Sequence, residues 1–287
     1  SFYMNPPDSA AIKGEAEAVV APLTYTLKLP EKLVYDITEM GDDEDLPEYH
    51  KWYNKQEVVI ENTRPRVSDL SLDREGFILR HAETSVGNFY DETEGRNTYD
   101  AEIEALVKES TGANKVLVFD HTIRVESDDL RRKRHVRETV DLVHNDYTVD
   151  SGPQRVRDLL SESDVGEHLN TRFAIYNVWR PIVGPVLSSP LAMCDAQSVK
   201  TEDWVACDLD YGDRRGEIYN VAYNADHRWC YFPEMTTDEI LLFKNYDSIE
   251  DGRARFTRHT AFVDPTTPDD TPSRESIETR VLAWFTA

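Results

Sequence analysis

The chain has 287 residues, of which 39% are hydrophobic and 10% aromatic, enough to fill one large packed core and too apolar for a disordered segment. Its 55 acidic against 32 basic side chains give a formal charge of −23, which argues against sequence-independent binding to nucleic acid or to an anionic membrane surface. The three cysteines, Cys194, Cys207 and Cys230, have no C-x-x-C spacing and suit a reducing compartment, and no apolar run reaches the length of a membrane span. No basic stretch leads into an apolar one near the start, so a signal peptide is not expected and a cytoplasmic location is.

In chain order, residues 1–20 read as a loose arm ending in a short Ala/Glu-rich helical stretch, and residues 23–29 alternate as a strand. An acidic loop at 39–48 precedes a strand around Val58-Val-Ile60. Residues 98–112 predict a helix, with Ile103, Ala105 and Leu106 on one side and Thr111-Gly112 as its stop. Val116-Leu-Val-Phe119 is a buried strand, followed by a charged run at 124–137 that reads as a solvated loop. A short helix is expected at 155–160. After it come strands at 172–178, 187–193, 198–206, 217–223, 229–232, 239–244, 253–262 and 276–285, separated by turns rich in Pro, Gly and Asp. This pattern predicts a mainly β protein: a double-stranded β-helix (jelly roll, cupin-like) core over 115–287, with an α/β N-terminal cover over 1–114, in a single domain of 1–287.

Three short motifs carry chemistry. In His144-Asn145-Asp146 a strand would point both outer residues to one face, toward one ion. A third ligand could come from His259 or from His227. His259 is favoured because the apolar strand at 239–244 and a loop lead into it. Two histidines and one carboxylate leave open positions on Fe(II), the ligand set of oxygen-activating sites. Downstream, Arg274 and Ser276 share a strand face and offer a guanidinium fork with a hydroxyl beside it, matched to the far carboxylate of an oxo acid, with Arg280 as the alternative on the same face. Arg180, in Asn177-Val-Trp-Arg-Pro181, stands at a strand end where it could meet a cosubstrate, while His81 and His121 read as structural. There is no G-x-S-x-G elbow, no G-x-G-x-x-G fingerprint and no Walker loop.

With these motifs the chain resembles the AsaB-like hydroxylase/desaturase family, which includes CmcJ-type and gibberellin-desaturase-like proteins. The segments that carry the resemblance include Val86-Gly-Asn-Phe-Tyr-Asp91, Phe119-Asp-His-Thr122, Val143-His-Asn-Asp-Tyr-Thr148, Asn177-Val-Trp-Arg-Pro181, His227-Arg-Trp-Cys-Tyr-Phe-Pro233, His259-Thr-Ala-Phe262 and Arg274-Glu-Ser-Ile-Glu278. The resemblance implies an Fe(II)- and 2-oxoglutarate-dependent oxygenase. His144, Asp146 and His259 would hold the iron, and Arg274 with Ser276 the 2-oxoglutarate. O2 and a small specialised metabolite would be the partners, with hydroxylation, desaturation or rearrangement as outcomes. Two other readings stand beside it: a cupin-like metal-dependent isomerase or lyase, and a non-catalytic small-molecule binder. The sequence leaves a homodimer open.

Overall fold

Alternation of inward and outward side chains builds two curled sheets in the computed structural model, which describes residues 17–40, 47–127 and 140–286. The strands are β1 Ala18–Thr26, β2 Leu33–Asp36, β3 Tyr53–Asn62, β4 Phe77–His81, β5 Lys115–Val125, β6 His144–Asn145, β7 Arg172–Pro181, β8 Leu191–Cys194, β9 Trp204–Asp210, β10 Arg215–Val221, β11 Trp229–Tyr231, β12 Glu239–Asp247, β13 His259–Ala261 and β14 Glu275–Phe285. The larger sheet has the order β1-β3-β11-β8-β13-β6-β10-β9-β2 and the smaller β4-β12-β7-β14-β5. Together they form the double-stranded β-helix that the strand pattern predicts. Between them lie Phe77, Leu79, Trp179, Met193, Cys230, Leu241 and Phe243.

The outer faces are covered in different ways. Helix α1 (Asp100–Thr111) lies on the smaller sheet, packing Ile103 and Val107 against Tyr176, Val178, Ile240 and Leu242. An isolated helix of that length is marginal in water, so the burial of these two side chains, worth about 1.5–3 kcal/mol each, is what holds it. It ends where Gly112 takes a left-handed φ of 80°, as the Thr-Gly stop predicts. On the other side the antiparallel β1–β3 pair, at one edge of the larger sheet, packs Val19, Ala21, Leu23 and Tyr25 against Val143, Val221 and Trp229, and the Val143 amide donates to the Thr24 carbonyl at 2.9 Å. Helices α2 (Ser151–Leu159) and α3 (Glu162–Asn170) close one end against Phe173, Tyr246 and Trp284.

Several boundaries differ from expectation. Residues 18–20 are strand, not helix, because Val19, Ala21, Leu23 and Tyr25 keep a period of two through an Ala-rich composition. The strand expected at 198–206 starts at Trp204, and the one at 253–262 shrinks to His259–Ala261. Helix α3 was not foreseen. The N-terminal segment, expected as a cover, contributes β1, β2 and β3 to the larger sheet and β4 to the smaller. Most of the acidic loop (41–46), most of the charged run (128–137) and most of the N-terminal arm (1–16) lie outside the described residues.

Candidate metal centre

Strand β6 is only two residues long, but it sits between β10 and β13, with His144 opposite both Asn220 and His259. Residues directly opposite in an antiparallel pair share a face, which sets the two imidazoles side by side with ring centroids 4.4 Å apart. Phe243, from the facing sheet, packs on the His259 ring at 4.6 Å. His144 Nδ1–H donates to the Leu142 carbonyl at 2.6 Å, and His259 Nδ1–H to the Thr257 carbonyl at 2.9 Å. A carbonyl only accepts, so each ring carries a proton on Nδ1 and turns Nε2 toward the site. Asp146, one residue beyond β6, brings Oδ1 to 3.2 Å from His144 Nε2 and 4.0 Å from His259 Nε2.

The three ligand atoms lie within 4.8 Å of one another, and among the described residues this is the one cluster of His, Cys, Asp or Glu able to hold a metal ion. Adjacent ligands bound at about 2.1 Å to one ion stand about 3 Å apart, so the observed spacing needs only a small closing movement. The donor set also fits in charge. Burial, and then His144, pull His259 down to about 4, leaving it neutral. Burial works against the Asp146 charge, yet Arg280 and then His144 hold its carboxyl well below the usual range. Burial acts against a charge on His144, but Asp146 beside it raises this imidazole, so a metal would take the place of its Nε2 proton. Two imidazoles and one carboxylate are then the donors that suit Fe(II) with open positions.

The smaller sheet supplies what surrounds Asp146. Its Oδ2 accepts from Arg280 Nε at 2.9 Å, Asn177 Nδ2 at 3.1 Å and Asn245 Nδ2 at 3.2 Å. Asn177 and Arg280 are cross-strand partners on β7 and β14. Asn245 is the extra residue of a β-bulge in β12, where the register shifts between Lys244 and Tyr246. Asn245 was not singled out in the sequence, because a bulge breaks the alternation that would reveal it. Its one visible signal is a pair of polar residues, Lys244 and Asn245, closing an apolar run.

Arg274, the residue before β14, and Ser276 follow the same period of two as Glu278 and Arg280, and both are buried. Arg274 Nη1 donates to the Ser189 carbonyl, and its guanidinium lies 5.4 Å from the Trp179 ring centroid. Its Nε is buried and finds no hydrogen-bond partner among the described residues. Burial lowers this guanidinium from 12.5 to about 10. Arg280, by contrast, is taken up by Asp146 and Asp120.

Arg180 is a correction. It is opposite Ile277, on the outer face of the smaller sheet, where it donates to Tyr99 Oη at 3.1 Å and to the carbonyls of Ala82 and Thr237. Trp179 takes the inward place, and a one-residue step reverses the face. The rival ligand His227 is also elsewhere. Its Nε2–H donates to Asp203 at 2.9 Å, while Nδ1 accepts from Tyr25 Oη at 3.0 Å. His121 is tied to Thr279 and Asp100, and His81 is exposed.

Comparison with known proteins gives the family. A family model described as "Oxidoreductase/YMDC permease-like domain" matches residues 23–284. The hydroxylase/desaturase efuI of Hormonema carpetanum is 35% identical over 255 residues, covering 81% of this chain and 85% of that protein. The hydroxylase/desaturase CTB9 of Cercospora beticola is 31% identical over 296 residues, covering 91% and 90%. Among solved structures, the iron and alpha-ketoglutarate-dependent endoperoxidase NvfI superposes with a TM-score of 0.83 at 26% identity, over 94% of this chain and 99% of that one. The chain belongs to the hydroxylase/desaturase family of Fe(II)- and 2-oxoglutarate-dependent oxygenases that its motifs resemble.

Proposed function

We propose that His144, Asp146 and His259 hold Fe(II), that Arg274 with Ser276 grips the far carboxylate of 2-oxoglutarate, and that the chain oxidises a small-molecule intermediate of specialised metabolism with O2. The observation that carries the reading is the convergence of two Nε2 atoms and one carboxylate oxygen within 4.8 Å. When bound, Fe(II) would let O2 act as the four-electron oxidant, two electrons coming from 2-oxoglutarate as it becomes succinate and CO2 and two from the substrate as it is hydroxylated, desaturated or rearranged.

The chain's own residues orient and enclose. The Leu142 and Thr257 carbonyls fix both imidazole tautomers. Phe243 and Trp179, both buried between the sheets, exclude water from this face. The orphaned Nε of Arg274 supports its role as the cosubstrate fork, because a buried guanidinium with spare donors is matched by a carboxylate. In this reading residues 1–287 form one oxygenase domain that works in the cytoplasm without a nucleic-acid partner. Among the described residues no helix is long and apolar enough to cross a membrane.

The test is succinate formation in air from protein loaded anaerobically with Fe(II) and 2-oxoglutarate. Asp146→Ala is expected to abolish both Fe(II) binding and succinate. Succinate formed by that variant at the wild-type rate would overturn the assignment, and a metal-dependent isomerase or lyase would form none in either protein.

A further inference from the structure

We infer that Arg280 is a positioning residue which, with Asn177 and Asn245, saturates the outer oxygen of Asp146 and so limits this carboxylate to one-oxygen coordination through Oδ1. The inference rests on the metal-centre reading above and assigns to Arg280 a task other than holding the cosubstrate. A carboxylate oxygen offers about two lone-pair sites. Asp146 Oδ2 receives three N–H groups, from Arg280 at 2.9 Å, Asn177 at 3.1 Å and Asn245 at 3.2 Å, and has no capacity left for an ion. Oδ1 is the oxygen that faces the two Nε2 atoms. One oxygen and two nitrogens leave three positions open, whereas a carboxylate bound through both oxygens would leave two.

The network around Oδ2 is closed on itself, which makes it rigid. The second N–H of Asn177 goes to Glu278, and that of Asn245 to Asn177 Oδ1. The Asp146 amide donates back to Asn245 Oδ1 at 3.3 Å. Arg280 turns its other nitrogens to Asp120, to Thr122 Oγ1 at 3.4 Å and to Glu278 at 3.6 Å. Three acidic side chains therefore claim this guanidinium before any ligand enters. A bulge aims one donor, Asn245, the extra residue in β12, and a second bulge, with Phe119 as the extra residue of β5, accompanies the pairing of Asp120 with Arg280.

The experiment compares full-length wild type with Arg280→Gln, Arg280→Lys and Asn245→Ala. Fe(II) affinity is read by anaerobic competition with a chelator, and the coordination number by the absorption bands of Co(II) in the same site. Arg280→Gln and Asn245→Ala are expected to weaken Fe(II) by about 10–100-fold, the usual effect of removing a ligand's hydrogen-bond partner. Both are expected to shift the Co(II) spectrum, and Arg280→Lys to restore neither property, since an ammonium keeps the charge but not the directed Nε–H. Unchanged Fe(II) affinity and Co(II) spectrum in folded variants, with a raised 2-oxoglutarate requirement for Arg280→Gln, would overturn the inference. Full rescue by lysine would overturn it too. If Arg280→Gln fails to fold, Asn245→Ala carries the same prediction through a smaller change. A wild type that binds no Fe(II) sinks the metal-centre reading itself, whereas a wild type that binds it beside indifferent variants sinks only this inference.

Discussion

Replacing Arg274 by methionine separates a residue kept for binding from one kept for stability. The fall of its guanidinium from 12.5 to about 10 on burial is equivalent to about 3 kcal/mol of unfavourable burial. Against that stand the bond from Nη1 to the Ser189 carbonyl, worth about 1 kcal/mol, and the contact with Trp179 at 5.4 Å, worth about 1 kcal/mol. Arg274→Met is therefore expected to be as stable as wild type or more stable by about 1 kcal/mol, where truncating a well-packed buried side chain costs about 2–5 kcal/mol. Binding should move the opposite way. Two charge-assisted hydrogen bonds to a carboxylate, at about 1.5–3 kcal/mol each, amount to about a 10²–10⁴-fold rise in the 2-oxoglutarate KM. The kcat at saturating cosubstrate should fall much less, because the fork does not touch the reacting atoms. Urea unfolding with and without 2-oxoglutarate reads both effects: the cosubstrate at about 100 times its Kd stabilises wild type by about 2.7 kcal/mol and the variant hardly at all. A variant destabilised by more than about 3 kcal/mol, roughly the cost of a core truncation, with an unchanged 2-oxoglutarate KM, would refute the reasoning.

Two further predictions join those already made for Asp146 and Arg280. Gly76 has φ 94°, and a Cβ there would press on Thr257 Oγ1, which itself donates to the Gly76 carbonyl. Gly76→Ala should cost about 2–3 kcal/mol in urea unfolding, from the left-handed backbone and the displaced hydroxyl. It should also weaken Fe(II) binding, because the Thr257 carbonyl orients His259; wild-type affinity in the variant would show that this orientation is held by other contacts. Acid should destabilise the fold through the Tyr25–His227–Asp203 chain. Burial lowers His227 below 6.5, so the unfolded chain takes up the proton first and stability falls as pH drops through 6.5. Asp203, held below 3.8 against burial chiefly by His227, adds a loss in the same direction at lower pH. His227→Gln should flatten the decline of the urea midpoint between pH 7.5 and 5.5; an unaltered slope would place the sensitive group elsewhere.

The fold was legible where apolar residues form long runs bounded by turn residues. The strands at 172–178 and 276–285 read correctly because each carries a near-continuous run of residues buried on both faces. The candidate site was legible where spacing has geometric meaning: His144 and Asp146 do face one place, and His259 joins them. What could not be read was register. Arg180 and Trp179 are neighbours in sequence, and only the pairing of Glu278 with Trp179 and Ile277 with Arg180 tells which faces inward. Arg274 and Arg280 share a face and look equivalent on paper. Their difference lies in partners, three acids for one and an orphaned Nε for the other. Asn245 was hidden for a third reason: its inward aim comes from a bulge, which has no periodic signature.

The division of labour between the two sheets explains why so much of the site escaped a linear reading. Both histidines come from the larger sheet, and each is oriented by a carbonyl two residues before it in its own segment. That device is local, so it accompanies the residue wherever the strand goes. Asp146 has no such local anchor, since it lies just past a strand of two residues. Its carboxylate is fixed instead by Asn177, Arg280 and Asn245, which belong to β7, β14 and β12 of the facing sheet. A slide of one sheet over the other would leave the imidazoles paired and move the carboxylate away from them. The apolar layer of Phe77, Trp179, Met193 and Phe243 resists that slide, and packed cores deform in discrete steps rather than smoothly. The metal centre is thus a property of how the sheets are packed, and the polar network on Asp146 is the point where packing is converted into coordination geometry.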